Sequence, residues 1–150
     1  MPMNNYPQWW NETLTIYNKF VDKQTQVVRW YRTAVNNCFW KYTGNKVTID
    51  KTVLETNAVV CRIPQNPDFI EKHQWINIPN DQMNNYFTLA EGDIIIKGEV
   101  YDAVNEYTPG TRSSDLIEKY KGLQGCMVIN RITINVGGGR NNPHYYVLGE

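Results

Sequence analysis

The sequence lacks the features that mark secreted, membrane and strongly nucleic-acid-binding proteins. Its first ten residues have no basic start and no apolar run, so we predict no secretory signal peptide. The longest wholly apolar stretches, such as 58–61, have four residues. They are far shorter than the roughly 20 residues of a membrane span, so no membrane association is expected. Because 15 Lys and Arg balance 15 Asp and Glu, contact with DNA is expected only as weak binding or at a local patch.

Cysteine and histidine are scarce, and neither shows a ligand spacing. Three cysteines cannot all pair, and none lies in a Cys-x-x-Cys, so we predict a reducing cytoplasm and three thiols that pack as small hydrophobic residues: Cys38, Cys61 and Cys126. The two histidines, His73 and His144, have no zinc-ligand pattern around them. No serine-hydrolase, zinc-protease, Walker or dinucleotide motif occurs either. We therefore predict no enzymatic activity, no metal and no cofactor.

Two groups of residues could form a binding or catalytic site, but each has a simpler structural interpretation. The glycines at 137–139, followed by Arg140, could form an anion-binding nest, but they lack the lysine and Ser/Thr of a phosphate-binding loop and join two predicted strands. We interpret them as a hairpin connection. Four carboxylates cluster around one predicted strand and could do acid–base chemistry, but such residues beside turns are usually solvated: Glu91, Asp93, Glu99 and Asp102.

The residues that are present predict one mainly β domain over 1–150. The chain is 41% hydrophobic, 13% aromatic and 20% charged, which fits a single domain with its own core. Many short period-two segments separated by turns indicate a small β-barrel or β-sandwich. The predicted strands are 13–19, 27–33, 38–42, 46–50, 56–63, 93–97, 127–136 and 144–148.

Several of these strands carry sharper expectations. Leu14 and Ile16 share one face, and the polar run 22–26 predicts a hairpin turn between the first two strands. The turn signal at 43–45 predicts a second break. The run 94–96 is isoleucine throughout, so we expect it to be covered on both faces. In the strand 127–136, alternation places Val128 with Ile132 and Ile134 on one face, and Ile129 with Arg131 on the other.

Two segments interrupt the strand pattern. Residues 64–86 contain three prolines and many asparagines, which excludes a central strand, but they are too apolar for a linker. We predict a long ordered loop. In 101–125, a Ser-Ser-Asp start signal precedes Leu116, Tyr120 and Leu123 at helical spacing. This predicts the one short helix, at about 114–123.

Aromatic residues give the candidate interface. An N-terminal arm, residues 1–12, contains the adjacent Trp9 and Trp10, which would favour aggregation if both were left in water. The arm is therefore expected to pack on its own barrel or on a neighbouring subunit. The last strand, 144–148, is predicted to add to an exposed sheet edge of a partner. The predicted interface residues are Trp9, Trp10, Trp75, Tyr145 and Tyr146.

The order of elements resembles that of the head–tail joining proteins of tailed phages, the head-closure or stopper family. The similarity comprises the strand Leu14–Lys19, the hairpin into 27–31, the third strand through Cys38, Phe39 and Trp40, and the later segments 59–63, 92–98 and 129–134. It covers most of the chain through loose patterns. The segments 64–86 and 101–125 are larger than the minimal family pattern, so their roles cannot be transferred.

This resemblance implies a structural virion protein of the phage neck, assembled in the host cytoplasm. Six or twelve copies would form a ring that joins the portal and adaptor proteins to the tail terminator or tail tube protein. Family members carry a loop that projects into the channel and retains the packaged double-stranded DNA without sequence specificity. The length of 64–86 makes it the candidate, with His73, Gln74 and Asn77 as the predicted channel residues.

Two other functions stay open at this point. A tail terminator or tail-completion protein has a similar composition and also forms a ring. A ligand- or carbohydrate-binding β-sandwich would use its tryptophans as stacking platforms.

Overall fold

The structure, a computed structural model, describes residues 6–49, 52–121, 125–135 and 143–150. Within these ranges it contains six β-strands and three short helical segments, so it is mainly β as predicted. The prediction of one helix is wrong, because the segment 64–86 contains two of the three helical segments. The strands are β1 Glu12–Val21, β2 Val28–Ile49, β3 Thr52–Pro64, β4 Ile94–Lys97, β5 Cys126–Asn135 and β6 His144–Gly149. The helices are α1 Lys72–Trp75, a 3-10 helix at Asn80–Asn85, and α2 Ser113–Lys121.

The six strands close into an antiparallel barrel in the order β1-β2-β3-β6-β5-β4. Of the two predicted architectures, the barrel is therefore the one observed. Closure gives every strand two neighbours, and β6 pairs with β3 on one side and with β5 on the other. The prediction that the last strand adds to an exposed sheet edge of a partner is therefore wrong, because both of its edges are used within its own barrel.

The first hairpin forms as the sequence predicts. β1 and β2 pair from Glu12↔Cys38 to Val21↔Val28, and the Asp22 amide donates to the Val27 carbonyl at 2.9 Å. The Asp22 carboxylate also accepts from the amides of Gln24 and Thr25 at 2.8 and 3.2 Å. These turn hydrogen bonds hold the pKa of Asp22 below its ordinary value.

β2 is one strand of 22 residues where the sequence predicted three. Residues up to Cys38 pair with β1, and residues from Phe39 onward pair with β3. Asn37, with φ of 60°, precedes this change of partner. The turn predicted at 43–45 is wrong: these residues pair with 56–58, because cross-strand pairing overrides a local turn signal.

The core has two layers, one on each side of the wall that β1 and β4 form. Leu14, Ile16 and Ile95 point into the barrel, whereas Tyr17, Ile94 and Ile96 pack outside it beneath α2. The expectation that 94–96 is covered on both faces is confirmed. Helix α2 buries Leu116 and Tyr120 as predicted, while Leu123 lies outside the described residues.

β5 contains a bulge that changes which residues face the core. The register with β6 shifts between Ile129 and Arg131. Ile129 therefore belongs to the barrel core, with Ile132 packed against it, while Val128 packs on the outer layer. The predicted grouping of Val128 with Ile132 is wrong, because one extra residue inverts the alternation.

Candidate interaction surfaces

The N-terminal arm packs on the barrel of its own chain through Trp10. The Trp10 ring is 9% exposed; it stacks on Tyr6 at 5.3 Å between ring centroids and meets the edge of His144 at 5.4 Å. The Tyr6 hydroxyl donates to the Pro143 carbonyl and accepts from the Gln65 amide at 3.2 Å. Residues 1–5 of the predicted arm lie outside the described residues.

Beneath the arm, an arginine links β3 to β6. The Arg62 guanidinium lies 3.0 Å from His144 Nε2 and 4.8 Å above the Tyr146 ring. Arginine can only donate, so His144 Nε2 accepts, and its ring proton resides on Nδ1 when the imidazole is neutral. The cluster fixes the side chains on the outer surface of this part of the barrel.

The segment 64–86 is held to the barrel by Trp75. This side chain is fully buried and makes edge-to-face contacts with Phe20 and Tyr31 at 5.9 and 5.7 Å. Met83 is buried in the same cluster. The Lys72 ammonium donates to the Lys19 carbonyl at 2.6 Å and lies 4.7 Å from the Trp75 ring centre. The segment is therefore ordered and folded back on the β1–β2 hairpin.

The three predicted channel residues lie together on the solvent side of this segment. His73, Gln74 and Asn77 are all exposed. The Asn77 side-chain amide donates to the His73 carbonyl at 3.0 Å, and His73 Nδ1 is 3.4 Å from a Glu71 carboxylate oxygen.

The five predicted interface residues divide by exposure. Trp9 is 68% exposed, and Tyr146 is half-buried beneath Arg62. Trp10, Trp75 and Tyr145 are buried within the chain, so their side chains contribute to its core. Sequence reasoning could not separate these groups, because core and interface aromatics share one composition.

The outer face of β3 and β6 is a surface that sequence reasoning missed. Residues opposite each other in neighbouring strands lie side by side on one face. On this outer face, β2, β3, β6 and β5 each contribute one residue to each of two rows, and all eight residues are half-buried or exposed. The rows are Phe39–Arg62–Tyr146–Thr133 and Lys41–Val60–Leu148–Arg131. This surface, termed the basic face, has an apolar centre and three cations.

The opposite side of the barrel is covered by residues 98–121, termed the acidic layer. The Tyr17 hydroxyl donates to the backbone carbonyl of Asp102 at 2.8 Å. The Asp102 carboxylate accepts from the Tyr120 hydroxyl and from the Lys119 ammonium. Burial opposes ionisation of Asp102, but these two side-chain hydrogen bonds outweigh it and hold its pKa below the ordinary value. Two tyrosines of the layer, Tyr101 and Tyr107, are 74% and 59% exposed.

Two clefts flank the segment 64–86. One, of about 370 Å³, is lined by Glu71, Gln74 and His144 among others. The other, of about 430 Å³, lies between Lys19, Lys72 and Asp93. Burial raises the pKa of Asp93 although the Lys19 and Ala90 amides and the Asn18 side chain all donate to it, at 2.9, 3.0 and 2.9 Å.

The thiols and histidines do not converge on one site. All three cysteines are free and buried, and burial raises the pKa of Cys38 to about 12 and that of Cys126 to about 11. In the part of the chain that the structure describes, no three His, Cys, Asp or Glu side chains are grouped to hold a metal ion. The glycine loop 137–140 lies outside the described residues.

The β2–β3 hairpin continues past the barrel. The pairs from Thr43↔Ala58 to Ile49↔Thr52 follow the last pairing of β3 with β6, at Val59. Among the strand pairings described, these seven pairs have no further neighbour. At about 3.3 Å per residue, the extension is roughly 23 Å long.

Comparison with known proteins places the chain in a family. Searches of the curated proteins and of the solved structures each found no match. None of the helices described is long and apolar enough to cross a membrane. A family model does match, over residues 9–150, which is nearly the whole chain. The protein therefore belongs to the family of unknown function DUF6751.

Proposed function

We propose that this chain is a ring-forming structural protein of the tailed-phage neck, which joins the portal–adaptor complex to the tail and retains the packaged DNA. The single observation that carries the proposal is the hairpin that extends about seven residue pairs beyond a closed barrel. A ring of such barrels can direct its hairpins toward a central channel while the barrels make the wall. The sequence resemblance to head-closure proteins supports the same function.

The hairpin at 43–58 is the better candidate for the channel-facing segment. The segment 64–86 is anchored by the buried Trp75 and Met83, so it cannot reach far from the barrel without losing that packing. Its exposed His73, Gln74 and Asn77 could still line the ring at a shorter radius. With no net charge on the chain, contact with DNA would be weak and independent of sequence.

Removing the protein from its phage tests this function. Without it, heads should fill, release their DNA and stay separate from normal tails, and a tagged copy should label the neck in electron micrographs. Wild-type protein supplied in trans is the control. Normal numbers of infectious particles, or virions free of the protein, would contradict the proposal. Intact filled heads with tails of abnormal length would instead assign it as a tail terminator.

A second experiment identifies the channel segment. Shortening the hairpin by two residue pairs, which removes two residues from each strand, should make filled heads leak DNA and leave the barrel stable. The matched variant is His73→Ala with Asn77→Ala, which alters only exposed side chains. Leakage from the second variant alone would assign the channel role to 64–86.

One observation favours a second function. The cleft of about 370 Å³ is lined by the amide residues Gln65, Gln74 and Asn135 together with the aromatic Phe69 and Tyr145. A few polar groups among aromatic side chains are typical of small-ligand sites, and a sugar is one such ligand. Glycan-array binding that is lost in Gln74→Ala, with the fold intact, would support a carbohydrate-binding protein instead.

A further inference from the structure

Two surfaces on opposite sides of the barrel have opposite charge. The basic face carries Lys41, Arg62 and Arg131, and its two rows contain no carboxylate. The next outward position of β6 is Glu150, at the margin of the face. The acidic layer has five carboxylates against three cations of its own: Glu99, Asp102, Glu106, Asp115 and Glu118 against Arg112, Lys119 and Lys121. Arg32 of β2 also lies 3.6 Å from Glu99, which leaves one negative charge in excess on this surface.

The barrel order fixes the relative position of these surfaces. In the closed order β1-β2-β3-β6-β5-β4, β1 is three strands from β6 in either direction, and β4 is three strands from β3. The acidic layer packs on β1 and β4 and also on the start of β5, at Cys126 and Val128. Its centre, on β1 and β4, therefore lies across the barrel from the centre of the basic face, on β3 and β6. A copy of the chain thus presents complementary surfaces on its two sides.

We propose that the basic face binds the acidic layer of a second copy of this chain. Such a contact is head-to-tail, so it builds a ring if the rotation between copies closes and a filament if it does not. This inference rests on the proposed function for the existence of a ring. It deepens that function by naming the contact between neighbouring copies. Val60 and Leu148 supply the apolar centre that such an interface needs, and Tyr101 and Tyr107 supply exposed aromatic rings on the other side.

A second copy fits the surface better than a nucleic acid does. The complementary charge is present on the chain itself, whereas overall neutrality removes the long-range attraction that phosphate backbones require. The cations of the face also surround apolar residues rather than line a groove. Opposite charges across an interface direct which surfaces meet and slow wrong pairings.

Charge reversal on each side tests the contact. The first variant carries Lys41→Glu and Arg131→Glu, and the second carries Glu99→Lys and Glu118→Lys; all four side chains are exposed. Each variant alone should self-associate at least roughly 100-fold more weakly than wild type in sedimentation experiments at low salt. An equimolar mixture of the two should assemble again, because each remaining interface then pairs opposite charges.

Controls separate this inference from the function it rests on. Lys23→Glu changes an exposed cation of the β1–β2 turn and should leave association unchanged, and circular dichroism confirms that each variant is folded. If wild type assembles but both double variants assemble equally well, the proposed contact is wrong and the neck function stands. A wild-type chain that stays monomeric at millimolar concentration also overturns the proposed contact. The contact is likewise wrong if the wild-type chain binds nucleic acid and the first variant loses that binding while its self-association is unchanged.

Discussion

Replacing Gly149 with alanine should destabilise the barrel by a purely steric effect. A Cβ at this position would lie 2.3 Å from the Val128 carbonyl oxygen and 2.4 Å from Met127 Cε. The methionine end can move, but the carbonyl belongs to the neighbouring strand. The added methyl group must therefore push β6 away from β5.

The magnitude follows from what this displacement breaks. Overpacking of a dense interior costs about 1–3 kcal/mol. The Val128 and Glu150 backbones exchange two hydrogen bonds, at 2.8 and 3.2 Å, each worth about 1 kcal/mol. We expect Gly149→Ala to lower the free energy of unfolding by about 3 kcal/mol and the melting temperature by about 6–12 °C.

Urea denaturation followed by tryptophan fluorescence measures this effect, and Gly92→Ala is the matched control. Gly92 has φ of 92° with no heavy atom within 4 Å of a built Cβ, so its alanine variant bears only backbone strain, about 1 kcal/mol. The comparison thus separates the cost of a steric clash, at Gly149, from the cost of backbone strain, at Gly92. If Gly149→Ala is no less stable than Gly92→Ala, the tight packing of β6 against β5 is refuted.

Three further outcomes follow from burial and charge. The buried thiols, whose pKa values are raised by desolvation, should not react with a thiol reagent at pH 8 until the protein is unfolded, when all three react. Because the pKa of Asp102 is lowered in the fold, its contribution to stability is present above its unfolded pKa and is lost as pH falls through the folded one; Asp102→Asn should flatten that acid limb of a stability–pH curve. Trp75→Ala should cost about 3–5 kcal/mol in urea denaturation and expose 64–86 to proteolysis, whereas Trp9→Ala should change neither.

Local patterns in the sequence predicted the elements whose stability is local. The β1–β2 hairpin is determined by a polar turn between two alternating strands, and helix α2 by a start signal and apolar residues at helical spacing. The isoleucine run 94–96 also predicted its own burial on both faces. In the hairpin and the helix, the residues that interact lie close together in the sequence. In the isoleucine run, three consecutive apolar side chains require burial on both faces of the strand.

The remaining features depend on partners far away in the chain. The run 43–45 carries a turn signal, but its backbone pairs with 56–58, and no local pattern reveals that pairing. The bulge at Ile129 inverts the face of every preceding residue of β5, which alternation alone cannot detect. The sequence groups Trp75 with the interface residues, because its position in a proline-rich segment gives no sign that Phe20 and Tyr31 enclose it.

Barrel closure limits how a partner could associate with the last strand. Because both edges of β6 are paired within the chain, a partner cannot be recruited there through main-chain hydrogen bonds. In the described part of the chain, the candidates for association are the side chains of an outer face and the hairpin beyond Val59. Main-chain edges bind any strand, whereas a face with a defined charge pattern selects its partner. In the proposed ring, the basic face would supply the specific lateral contact, and that contact would position the hairpins of neighbouring copies relative to one another.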